Sequence, residues 1–264
     1  MILAAGLGTR LRPLTDTRPK ALVEINNRTL LEIALTRLRT FGITEAIINV
    51  HHFADMVVQY LKSKNNFGMR LELSREDDQL LDTGGGLKKA AWFFQEDSAR
   101  LDEPFLLHNV DVISAIDLAA MLQFHTAQQA LATLAVQSRP SSRQLLFNDQ
   151  LQLSGRTSST ATPGCAPQIV PHSPLATSHS PLPESTTPSP LHPAAFSGIH
   201  ILSPRLLPQL TETAPFSIID SYLRLSSLGQ KILAFRHDHS YWRDLGKPAD
   251  LAQAALDLQS KLSR

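Results

Sequence analysis

The chain has 264 residues, 42% of them hydrophobic and 19% charged, with a formal net charge of +1. That length holds one large domain or two small ones with a substantial core. The near-neutral balance excludes a global pull toward nucleic acid or an anionic membrane, so any basic site must be local. A single cysteine, Cys165, excludes an internal disulfide, and no apolar run approaches the roughly 18 residues that cross a bilayer. The opening "MILAAGLG" is too short for a signal peptide and its charges follow it, so a cytoplasmic protein is expected.

In chain order, Ile2–Ala5 reads as a short buried strand. Leu31, Ala34, Leu35, Leu38 and Phe41 recur at helical spacing, with Gly42 as the stop. "EAIINV" (45–50) predicts a strand, 54–63 a helix and "RLELS" (70–74) a strand. "GGLKKAAWFF" (85–94) predicts a helix opening on glycine, "PFLLHNVDV" (104–112) a strand with a polar tip, 116–127 a helix and 131–137 a strand. "RQLLFNDQLQLSG" (143–155) reads as a hairpin turning at Asn148–Asp149. Residues 157–193 hold nine prolines and thirteen serines or threonines, which predicts an exposed, mobile loop without secondary structure and leaves Cys165 incidental. A strand at 194–202, a helix around Ile218, Ile219, Tyr222 and Leu223, a strand at 231–236, "YWRDLG" (241–246) and a terminal helix through Leu251, Ala254, Ala255, Leu258 and Leu262 complete the chain. Strand–helix alternation with buried strands predicts an α/β fold: a mixed, mostly parallel sheet with helices on both faces. The loop at 157–193 interrupts one domain, 1–264, and does not divide two.

The first strand runs into Gly6, Gly8, Arg10, Pro19 and Lys20. Glycines let a backbone approach a ligand and aim N–H groups at it, and fixed cations beside them suit a polyphosphate. The dinucleotide fingerprint fails, because Arg10 and Leu11 stand where its third glycine belongs, and no Gly-Lys-Ser/Thr makes a P-loop. A solvated basic loop is the plainer reading of such a segment alone. Asp111 follows an apolar strand, where open α/β sheets place ligands, and a carboxylate there suits magnesium, although a turn-forming aspartate has the same sequence. Asp244 in "YWRDLG" is a second such carboxylate, and the set fits metal-assisted phosphoryl transfer.

With these pieces the chain resembles the sugar-1-phosphate nucleotidyltransferases. Residues 3–20 match "LAAGxGTRLxPxTxxxPK", Asn109–Val110–Asp111 stands for an N-G-D turn, and Trp242, Asp244 and Gly246 match W-x-D-x-G. "LDTGGGLKKA" and "FSGIHIL" are most similar to the short bacterial members, which include uridylyltransferases of N-acetylmuramate 1-phosphate. The resemblance implies a Rossmann-like nucleotidyltransferase fold of the GT-A kind. It also implies attack of a sugar 1-phosphate on the α-phosphorus of a nucleoside triphosphate, UTP preferred, with release of pyrophosphate. Arg10 and Lys20 would be the catalytic cations and Asp111 and Asp244 the Mg2+ ligands. Ala4, Ala5, Gly6, Leu7, Gly8 and Thr9 would bind the triphosphate, Gly84 and Gly85 the base, and Asn109 and Gly198 the sugar. Asp82 stands where relatives carry Glu, and Val110 where they carry Gly. A β-branched Val110 does not readily take positive φ, so either the backbone there is ordinary or the sugar sits differently.

His108 reads as a core histidine or a sugar contact. His51 and His52 read as capping or sugar-side groups, and His237 and His239 flank Asp238 without a third metal ligand nearby. A guanylyl- or thymidylyltransferase on another hexose 1-phosphate is the nearest competitor. A catalytically silent nucleotide-sugar-binding relative would be expected to have lost the charged set. The missing third glycine sets a nicotinamide oxidoreductase aside. Expected partners are the two small substrates, with no nucleic acid or membrane, and the chain is expected to be a monomer or weak homo-oligomer.

Overall fold

The computed structural model describes residues 1–97, 102–157, 169–171 and 190–260. β1 (Ile2–Leu3) leads into the glycine loop, which ends in a small hairpin of β2 (Glu24–Ile25) and β3 (Arg28–Thr29). Its turn residues Asn26 and Asn27 both take positive φ, 50° and 61°, as a two-residue hairpin turn requires. Thr29 then caps α1 (Leu30–Thr40) by accepting from the Glu32 amide, and Gly42 at φ 79° follows its end.

β4 (Glu45–Val50), α2 (Ala54–Ser63), β5 (Arg70–Arg75), α3 (Asp82–Lys89), β6 (Phe105–Asn109), β7 (Val112–Ser114), α4 (Leu118–Gln128) and β8 (Ala132–Gln137) follow. The second half holds the hairpin β9 (Leu145–Phe147) and β10 (Leu153–Thr157), then β11 (Ile169–Pro171), β12 (His192–Leu202), α5 (Ile218–Ser227), β13 (Ile232–Arg236), β14 (Trp242–Asp244) and α6 (Pro248–Ser260).

The main sheet runs β11-β10-β9-β12-β6-β1-β4-β5, with β8 pairing β12 and β13. β6, β1, β4 and β5 are mutually parallel, and so are β8 and β13. β12 is antiparallel to β6, β8 and β9 and joins the two halves. Helices cover both faces because successive strand residues point opposite ways. Ile2, Ile48, Val50 and Ile201 join a core with Leu31 and Leu35 of α1, Val57 of α2, Met121 of α4 and Ala254 of α6. Ile47, Leu107, Leu134 and Leu202 join a second core with Leu87 of α3 and Tyr222 of α5. The near-continuous apolar run of β4 is thus buried on both sides.

Several expectations need correction. The helix placed at 85–94 begins at Asp82, keeps its glycines inside and gives way to a 3-10 turn at Ala91–Phe94. The strand placed at 104–112 breaks after Asn109, so Asp111 sits in a turn between β6 and β7. Most of 157–193, including Cys165, lies outside the described residues. Its described parts are not loop: Thr157 ends β10, Ile169–Pro171 pairs with β10, and β12 starts at His192.

Candidate functional site

The site lies beyond the carboxyl ends of β1 and β6, where a parallel sheet leaves a crevice. After β1 the chain must leave the sheet at once. The Ala4 amide donates to Asn49 Oδ1 (2.7 Å), which pins the loop to β4. Ala4 and Ala5 are buried, whereas Gly6, Leu7, Thr9 and Arg10 are exposed. Gly8 takes φ 65°, and an added Cβ would stand 2.9 Å from Thr15 Cγ2 and 3.1 Å from Lys20 Cβ. Thr15 Oγ1 donates to the Gly8 carbonyl (2.9 Å), which closes the loop on itself. Among the described residues, the amides of Gly6 to Thr9 donate to no backbone carbonyl, which leaves them available to a ligand.

Lys20, buried at the loop's far end, forms an ion pair with Asp111 Oδ2. Asp244 reaches the same place from the other end of the chain. β14 pairs antiparallel with β7, which sets Asp244 opposite Val112, and the Leu245 amide donates to the Asp111 carbonyl (2.8 Å). Burial and the charge of Asp111 push the Asp244 carboxyl above its ordinary range, against the Gly246 amide (2.7 Å), Lys20 and Arg10, which favour the charged form. A Cβ on Gly246 would stand 2.6 Å from Asp244 Oδ1 and would overlap the Arg10 guanidinium, so both side chains would have to shift to admit one. The four charged residues singled out in the sequence, Arg10, Lys20, Asp111 and Asp244, therefore converge. Two partly buried carboxylates, with the charge of Asp111 disfavouring that of Asp244, form an all-oxygen donor set suited to a hard divalent cation. Among the described residues no cluster of three or more His, Cys, Asp or Glu could hold a metal ion by itself.

Asn109 and Gly198 also meet. Gly198 has φ 73°, and a Cβ there would lie 2.8 Å from Asn109 Nδ2 and 3.0 Å from Val112 Cγ2. Both line a cleft of 1270 Å³ together with Arg10, Asp82, Arg139, Trp242 and Asp244. Val110 is buried and is absent from the positive-φ positions, so its backbone is ordinary and it packs inward.

Gly84 and Gly85 have a packing cause. Both amides donate to the Phe216 carbonyl (3.0 and 3.3 Å), and a Cβ on Gly84 would overlap the Phe216 ring. The cleft wall at this point is formed by Asp82 and Thr83 instead. His108 is buried with Nδ1 2.7 Å from the Asn109 carbonyl, which makes it a core histidine. His237 is buried against Ser197 Oγ (2.8 Å), and His51 Nδ1 lies 2.5 Å from the Glu76 carbonyl.

Sequence reasoning missed the pair that ties the two walls together. Glu76, 1% exposed, accepts from Asn49 Nδ2 (2.7 Å) and the Leu81 amide (2.9 Å), while Asn49 holds Ala4. Gly86 makes room for them, since a Cβ would stand 2.7 Å from Asn49 Nδ2 and 2.8 Å from Glu76 Oε1. The available signal was Asn49, a lone polar residue in the otherwise apolar run of residues 46–50. Arg139 was missed too, and nothing in its local sequence marks it.

Residues 1–145 match the nucleotidyl transferase family. An N-acetylmuramate alpha-1-phosphate uridylyltransferase of Caulobacter vibrioides is 41% identical over 124 residues, 45% of this chain and 51% of that protein. A mannose-1-phosphate guanyltransferase of Candida albicans is 27% identical over 267 positions, 100% of this chain and 65% of that protein. This chain thus spans about half to two thirds of the length of these relatives. The fold is like that of a UDP-glucose pyrophosphorylase solved with UDP-glucose, with a TM-score of 0.73 at 18% identity over 98% of this chain and 97% of that one. The family match over more than half of the chain agrees with the charged site built at the sheet's carboxyl end, and the chain belongs to the nucleotidyl transferase family.

Proposed function

We propose that the chain, acting as one domain, joins a nucleoside triphosphate to a sugar 1-phosphate and releases pyrophosphate. UTP and N-acetylmuramate 1-phosphate are the preferred pair. The observation that carries this reading is the convergence of Asp111 and Asp244 on the Arg10–Lys20 cradle. Asp111 and Asp244 fit Mg2+, which when bound supplies positive charge beside the α-phosphate. The amides of Gly6 to Thr9 wrap the triphosphate, and Arg10 neutralises charge on the departing pyrophosphate. Lys20 holds a phosphate oxygen of either substrate. Asn109 and Gly198 line the sugar end, and Asp82 and Thr83 at the start of α3, held in place by the packing of Gly84 and Gly85 on Phe216, form the wall for the base. Catalysis of this kind is mainly position and charge, so no protein nucleophile is needed. The preference for UTP and the acidic amino sugar is supported by the 41% identity to the Caulobacter uridylyltransferase. A guanylyltransferase on a neutral hexose 1-phosphate is the second reading, favoured by the match to the Candida protein along all of this chain. Among the described residues no helix is long and apolar enough to cross a membrane, and the reading is of a cytoplasmic enzyme, monomeric or weakly self-associating.

The test is pyrophosphate release by the purified chain across nucleoside triphosphates and sugar 1-phosphates with magnesium. Turnover with UTP and N-acetylmuramate 1-phosphate is expected, and turnover confined to GTP would favour the second reading. Release with no pair would overturn both.

A further inference from the structure

Two of the five arginines on the cleft wall are already neutralised. Arg156 pairs with Asp220 (2.7 Å) and Arg243 with Asp257 (3.0 Å). Arg10 and Lys247 stand at the phosphate end, beside or just after Asp244. Arg139 differs. Its guanidinium lies over the Trp242 ring, 3.7 Å from the centroid, and Nη2 donates to the Phe196 carbonyl (2.7 Å). Nε is buried and has no acceptor. Among the described residues no carboxylate is paired with it. Burial lowers its pKa while the charge of Asp244 raises it, yet an arginine stays charged. A partly desolvated cation without a counter-charge is costly unless a ligand supplies one. Trp242 is itself fixed, with Nε1 donating to the Ser197 carbonyl (2.7 Å), so the guanidinium plane is preorganised. Arg143, exposed and with no carboxylate paired to its guanidinium among the described residues, lies on the same wall.

Position selects the anion. Trp242 and Asp244 are two residues apart on β14 and so share a face. Arg139, stacked on Trp242, and Asp244 line the same cleft, and the strand positions of Trp242 and Asp244 are one repeat, about 7 Å, apart. That is comparable to the reach from the phosphate on C1 to a substituent across a pyranose ring. The phosphates already have Arg10, Lys20 and the loop amides. We infer that Arg139, held flat on Trp242 and backed by Arg143, is a specificity-determining residue that pairs with a carboxylate carried by the sugar of the sugar 1-phosphate. The inference rests on the proposed function and adds to it the group that reads the acid.

The test compares N-acetylmuramate 1-phosphate with N-acetylglucosamine 1-phosphate, which lacks the carboxylate, using UTP, magnesium and the full chain. Wild type should prefer the acid in kcat/KM, and Arg139→Gln should lower the acid-to-neutral ratio at least 10-fold. Arg139→Lys keeps a charge without the planar fork and should lower the ratio by less; it decides the matter if the Gln variant does not fold by circular dichroism. Equal loss on both substrates would mean that Arg139 binds the phosphate, and would overturn the inference, as would a wild type without preference for the acid. If wild type turns over neither sugar, the proposed function fails, and calorimetric binding of the two sugar phosphates decides the inference. Tighter binding of the acid that Arg139→Gln abolishes would sustain it; equal or absent binding would overturn it.

Discussion

Asp244 stands across an antiparallel rung from Val112, the neighbour of Asp111, and the amide that follows Asp244 donates to the Asp111 carbonyl at 2.8 Å. A short two-stranded ladder thus sets the spacing of two carboxylates that are 133 positions apart in the sequence (244 − 111).

Asp111→Asn should lower kcat by at least ~100-fold, because the variant keeps the shape but loses charge where the proposed metal would be held. Magnesium should raise the melting temperature of wild type through binding to the folded state alone, and should not raise that of the variant. An unchanged magnesium response in Asp111→Asn would sink the metal assignment.

Gly246→Ala tests the space left for Arg10. Its backbone suits alanine, but the new methyl would crowd Asp244 and Arg10. We expect kcat/KM to fall by ~10-fold or more with a small change in melting temperature. Gly8→Ala, with φ 65° and a 2.9 Å approach to Thr15, should cost stability as well, about 1–3 kcal/mol by chemical denaturation.

Asn49→Ala removes a buried bridge. It leaves the Ala4 amide without an acceptor and Glu76 with one donor fewer. A loss of about 2–4 kcal/mol is expected in urea unfolding. The KM for the nucleotide should rise as well, because the loop and the start of α3 lose their shared anchor. A variant as stable as wild type would show that the bridge is dispensable.

Acid should unfold the protein earlier than its carboxylates alone require. Burial holds His108 at a pKa of about 4 and His200, bonded to the Tyr222 hydroxyl (2.9 Å), at about 3, below the ordinary 6.5. Between pH 6.5 and 4 the unfolded chain therefore binds protons that the folded chain does not, and stability falls as pH falls through that window. Melting temperature measured from pH 7 to 4.5 should drop, and less so in His200→Gln relative to its own value at pH 7. A flat wild-type profile would contradict the burial of these rings.

Much of this site could be read before folding was known. The glycine loop is contiguous, so Gly8, Arg10 and Lys20 announce themselves, and β4 and α2 follow from apolar runs of the right length. Chain direction in the second half could not be read, because the apolar run of β12 looks the same whether it pairs parallel or antiparallel. The start of α3 was missed because three glycines suggest a loop, and only Phe216, Ala214, Asn49 and Glu76 reveal that each fills a crowded position. Asn26–Asn27 did carry a legible turn signal that went unused. Arg139 gains its meaning from Trp242, 103 positions away, and no local pattern could supply it.

The β7–β14 ladder is held from outside the sheet. Asp257 on α6 accepts from the Tyr241 hydroxyl (2.7 Å) and from Arg243 (3.0 Å), the residues on either side of Trp242. The family match ends at residue 145, yet half of the carboxylate pair arrives only with residue 244. A ribosome-bound or clipped N-terminal portion would own the glycine loop, Lys20 and Asp111 and still be inert. On the proposed reading, chemistry would require β14 to pair with β7.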